Sequence, residues 1–98
     1  MWVHSAYFWL QREKSEHKLA EFLLALNKLR GIPSIELLWT GTPAPADRPA
    51  VDTTYDAGLT VIFKDGEGHA IYQKHPLHQS FLENYRSWWC KVVIYDFK

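Results

Sequence analysis

Cysteine is nearly absent. Cys90 is the only one in 98 residues, so no intrachain disulfide exists and the thiol usage fits a reducing compartment. No histidine or lysine motif beside Cys90 marks it as an activated thiol. Charge of one sign is also missing. Lys and Arg together number 11, Asp and Glu number 11, and neither clusters. That excludes the basic stripe expected of a nucleic-acid or anionic-membrane binder. No apolar run is long enough to span a bilayer. Met1–Leu10 is apolar but lacks a basic start and is interrupted by His4 and Ser5, so it does not read as a signal peptide. A cytoplasmic location is expected. The five glycines form no phosphate-binding loop and no nucleotide or flavin fingerprint. No cofactor is expected. His75 and His78 flank a proline, a spacing unlike a metal-ligand pattern, and no carboxylate or cysteine cluster supports them. No metal is expected.

Apolar and aromatic residues are plentiful, at 47% and 15% of the chain. A chain of this length makes one domain, 1–98, with a thin core that gains from a further interface. Residues 2–10 have β-branched and aromatic types suited to a strand. Trp2, His4, Ala6, Phe8 and Leu10 share one face, and Val3, Ser5, Tyr7 and Trp9 share the other. Both faces are largely apolar, so both need cover.

After a polar break at 11–14, Ser15 is the expected N-cap of a helix. Its core stripe is Leu19, Phe22, Leu23, Leu26 and Leu29. Gly31 is expected to adopt a left-handed cap before Pro33. Ile35–Thr40 is the second strand. The following stretch to Thr54 holds Pro43, Pro45 and Pro49 and reads as a long loop, with Arg48 and Asp52 as a candidate pair. Tyr55–Phe63 is the third strand, with Ala57, Leu59, Val61 and Phe63 on one face. A turn at Asp65, Gly66 and Gly68 leads to a short helix, 69–74. A break near His75 puts Pro76 in the first turn of the next helix, which carries Leu77, Phe81, Tyr85 and Trp88 inward. Lys91–Phe97 is the fourth strand.

Strand, helix, strand, strand, helix, strand is a ferredoxin-like βαββαβ order, in the α+β class. Helices on one face of a four-stranded antiparallel sheet leave Val3, Tyr7, Trp9, Ile62, Val93 and Tyr95 exposed on the other. Pairing two sheets in a homodimer closes that face.

The chain resembles the stress-responsive dimeric α/β-barrel (Dabb) family over nearly its whole length. The resemblance rests on the Val3-His4 strand, the Tyr55-Asp56 entry to the third strand, Tyr72–Phe81 with His75-Pro76-Leu77-His78, and the 89–96 ending. It implies two ferredoxin-like subunits joined sheet to sheet into a barrel. It also implies a small-molecule cavity between sheet and helices, lined by His4, Phe22, Leu59, Val61, Tyr72, His75, His78, Trp89, Val92 and Ile94, taking an apolar or aromatic ligand. In the polyketide cyclase branch of that family, a histidine base and a tyrosine promote aldol cyclisation. By position they match His78 and Tyr72. Where that branch has a further histidine near the start of the third strand, this chain has Ala57. Whether the protein is an enzyme stays open. A non-catalytic stress or assembly protein is the other reading, in which histidines beside the helix break bond backbone groups and fix the kink. His17 and His69 are expected at the surface.

Overall fold

The computed structural model describes residues 1–98. β1 (Trp2–Leu10) runs through the middle of a four-stranded sheet of order β2-β3-β1-β4, with β2 (Ile35–Gly41), β3 (Ala57–Phe63) and β4 (Trp89–Phe97). Every neighbouring pair is antiparallel. This is the expected ferredoxin-like topology. Each helical connection is split in two: α1 (Arg12–His17) and α2 (Leu19–Lys28), then α3 (Gly66–Lys74) and α4 (Pro76–Tyr85).

The first split corrects the expected start. Ser15 does not cap a helix; its hydroxyl donates to the Arg12 carbonyl at 3.0 Å, inside α1. The break falls at Lys18, whose φ is −127°. Phe22, Leu26 and Leu29 are buried as the periodicity requires, while Leu19 and Leu23 pack on the core partly covered. Gly31 has no left-handed φ. The segment ends instead in a tight turn, Leu29–Gly31, closed by the Ile32 amide donating to the Leu29 carbonyl at 2.9 Å.

β2 shifts register between Ile35 and Leu37, so Ile35 pairs with Phe63 and Leu37 with Ile62. The extra residue lets both Ile35 and Leu38 face the helices. Arg48 and Asp52 form no ion pair. Asp52 accepts the Thr54 amide and hydroxyl, at 2.8 and 2.6 Å, and those bonds hold its carboxyl below the usual range. The Thr54 hydroxyl accepts Trp9 Nε1 at 2.9 Å, tying the long loop to β1.

β3 begins at Ala57, later than expected; just before it the Asp56 amide donates to the Phe8 carbonyl at 2.8 Å and the Asp56 carboxylate accepts the Leu10 amide at 2.7 Å. Its alternation is clean: Ala57, Leu59, Val61 and Phe63 are buried. α3 begins earlier than expected. Asp65 caps it by accepting the Gly68 amide at 3.1 Å, which makes Gly66 and Gly68 helical. A Cβ on Gly66 would lie 3.2 Å from the Trp2 ring, so the close approach of α3 to β1 depends on that glycine.

α4 buries Phe81 and partly covers Tyr85, and Trp88 follows in a short turn. Leu77, expected inward, is 41% exposed at the rim of the helix layer, against Gly31. The helices cover β2, β3 and β1 but stop short of the edge strand β4. Val92 and Ile94, on the helix side of β4, are therefore exposed. The other sheet face carries Leu37, Trp39, Tyr95 and Phe97 in the open, around partly covered Tyr7, Trp9, Ile62 and Val93. No helix is long and apolar enough to cross a membrane.

Candidate functional site

The gap between the helix layer and β4 is a cavity of about 360 Å³. His4, Leu59, Tyr72, His78, Trp89, Val92 and Ile94 line it. Phe8, Phe81, Leu82 and Arg86 join them. Phe22 and Val61 do not; both are fully buried beneath the lining. His75 is absent too. Its Nδ1 accepts the Leu77 amide at 3.1 Å, making it the N-cap of α4. The apolar wall is an aromatic cluster in which Trp89 stacks on Phe81 and Phe8 meets both at steep angles, with centroids 5.0 to 6.4 Å apart.

The polar wall follows from the helix break. Pro76 has no amide hydrogen, and the Leu77 amide is taken by His75, so α3 ends with free carbonyls. The Gln73 carbonyl accepts two side chains instead: His78 Nδ1 at 3.1 Å and Gln79 Nε2 at 2.7 Å. A carbonyl cannot donate, so His78 Nδ1 carries the proton. In the neutral ring, Nε2 is then the basic nitrogen. Burial, opposed by the Gln73 bond, lowers the His78 pKa from 6.5, with His4 and His69 adding to the lowering. The ring is neutral at physiological pH.

The Tyr72 and His78 ring centroids are 4.6 Å apart. Burial, and then the Asp96 charge, raise the Tyr72 phenol well above its ordinary value. It stays protonated, and no other side chain hydrogen-bonds it. The cavity thus pairs a neutral imidazole base with a phenolic donor.

His69 is the main correction. Expected at the surface, it is 8% exposed, stacked on Trp2 with centroids 5.0 Å apart and an interplanar angle of 18°. His4, 5.0 Å away by centroid, donates from Nδ1 to Asp96 Oδ1 at 2.6 Å. Asp96 gave no sequence signal alone. The antiparallel register sets it opposite His4, and that pairing is the sign by which it is found. For His69 the sign is its i, i+3 spacing to Tyr72 once α3 starts at the Asp65 cap. Ala57 is wholly buried opposite Phe8, so no polar group enters from that position.

The model of the stress responsive A/B barrel domain, Dabb, matches residues 3–98. The chain belongs to the Dabb family. No match was found among curated proteins. Solved structures share the Dabb fold at low identity. A Dabb family protein with a ferredoxin-like fold from Mesorhizobium loti has a TM-score of 0.79 at 23% identity, over 99% of this chain and 94% of that one. A dimeric ferredoxin-like protein of unknown function from Thermobifida fusca gives 0.78 at 23%, over 98% and 88%. Hydroxynitrile lyase from Passiflora edulis gives 0.79 at 15%, over 98% and 90%. At these identities the likeness is one of fold. Within this Dabb chain, the cavity opens beside the edge strand, and its polar groups come from β1, the α3–α4 break and Arg86 in the turn after α4.

Proposed function

We propose that this Dabb domain is a homodimer through its open sheet face, and that each subunit binds a small apolar or aromatic molecule in the cavity between sheet and helices. The observation that carries the second part is the pairing of His78 and Tyr72 on a mostly apolar lining, to which His4, Gln73 and Arg86 also contribute. A small number of fixed polar groups on an apolar lining is what orients a small ligand. The Tyr72 hydroxyl donates to a ligand oxygen, and His78 Nε2 accepts from a ligand hydroxyl or acidic C–H.

The test is a titration with alkyl-substituted phenols, followed by tryptophan fluorescence, since Trp89 lines the site. Saturable binding is expected, weakened roughly tenfold by Tyr72→Phe with little change in melting temperature. Absence of saturable binding, or binding indifferent to both Tyr72→Phe and His78→Ala, would overturn it. If His78→Ala instead lowers melting and leaves ligand binding intact, the histidine is structural and the non-catalytic reading stands.

The neutral His78 base beside the Tyr72 donor favours a second reading, an aldol cyclase. His78 Nε2 removes a proton from a carbon flanked by carbonyls. The carbanion attacks a second carbonyl of the same molecule, forming the carbon–carbon bond. Tyr72 stabilises the resulting alkoxide, which takes the proton back from the imidazolium. Release of a cyclised product from a linear poly-β-ketone, abolished in His78→Ala, supports this. Ligand binding without conversion leaves the protein a binder.

A further inference from the structure

His69 and Asp96 do not line the cavity described above. His4 stands on β1 directly opposite Asp96 on β4, so both side chains rise from the helix side of the sheet. α3 brings His69 down onto them. One ring nitrogen of each histidine and one carboxylate oxygen of Asp96 all lie within 4.8 Å of one another.

The second observation is an orphan atom. His69 Nε2 is buried and has no hydrogen-bond partner. A buried polar atom left unpaired is unfavourable and calls for a partner supplied from outside the chain. The ring is also held in place. Trp2 stacks on one side, and Phe63 meets it edge-on with centroids 5.5 Å apart.

We propose that His4, His69 and Asp96 bind one divalent first-row metal ion, zinc foremost. Two imidazoles and one carboxylate suit zinc and its transition-metal neighbours, whereas calcium and magnesium prefer all-oxygen sets. Ligand atoms on a tetrahedral zinc sit at about 2.0–2.1 Å from the metal, hence roughly 3.4 Å apart. Closing the triad needs side-chain shifts of about an ångström or two from the 4.8 Å bound. Three protein donors leave a fourth position open to water or a ligand oxygen. The Asp96 side chain, 33% exposed, marks the route in from solvent. The ion joins β1, β4 and α3, and its binding does not depend on the apolar ligand proposed above.

The test uses the full chain, stripped with chelator. Zn²⁺ is titrated in competition with a chromophoric chelator, and Co²⁺ is followed by its visible ligand-field bands. The expected result is one ion per chain, Co²⁺ bands of a low-coordinate site, and a raised melting temperature. Asp96→Asn and His69→Phe each weaken binding about tenfold or more. Phe at 69 retains the ring stack on Trp2, and position 96 is exposed, so at least one variant reports from a folded protein. No saturable binding by the wild type overturns the proposal. So does binding that both variants leave unchanged, which would place the metal at another group such as exposed His17.

Discussion

His78 shows how one side chain serves structure and chemistry at once. Its Nδ1 closes a carbonyl left open by Pro76, and that same bond defines the free nitrogen. The pH dependence follows from its lowered pKa. Above 6.5 the ring is neutral in folded and unfolded chains alike, and it adds no linkage. As pH falls through 6.5, the unfolded ring takes up its proton first, while the folded ring, facing Tyr72, His4, His69 and Arg86, resists. Stability is therefore lost on acidification. His78→Gln should flatten the fall in melting temperature between about pH 7 and about pH 5. An unchanged slope would show that the ring is not shielded. Phe22 makes the contrasting case. Fully buried against Phe8, Phe81 and Trp89, it has no polar duty. Phe22→Ala should cost about 3–5 kcal/mol in denaturant unfolding. Both residues were visible in the sequence, one by helical spacing and one by its proline neighbour. His69 was not, because its burial depends on where α3 begins.

Among the elements, strands are more legible in the sequence than helix ends. Alternation alone assigns the buried face of β3, since a sheet face is decided by every second residue. Helix ends depend on single hydrogen bonds. Asp65 captured the Gly68 amide and extended α3 backwards through two glycines that otherwise signal a turn. Ser15 bonded within α1 rather than capping. The α3–α4 break was legible, because Pro76 removes a donor whatever surrounds it. His75 is its cap and stands outside the cavity. His75→Ala should lower stability by about 1 kcal/mol and leave ligand affinity unaltered. Calorimetric melting beside the fluorescence titration checks both halves, and a loss of affinity would mean that the cap positions the site.

For the whole molecule, the missing element is the cover for the second sheet face. The need for one was legible from β1, where both strand faces are apolar. The site was only half legible, because Asp96 enters through sheet register and β4 must be left uncovered by the helices for a cavity to form. Tyr95 is 65% exposed and Phe97 64%, on the face proposed to pair. Tyr95→Lys should leave the subunit folded and shift sedimentation from twice 11.5 kDa towards a single chain. A wild type that stays monomeric at micromolar concentration removes the sheet-pairing proposal.

The Gln73 carbonyl has two suitors, His78 and Gln79. Redundancy of this kind frees a position to drift. With Gln79 keeping the kink closed, the residue at 78 is able to change without unravelling the helix pair. A fold arranged in this way separates heritable stability from heritable reactivity. New chemistry in such a pocket is then reached by single replacements at position 78, each tested on an intact scaffold.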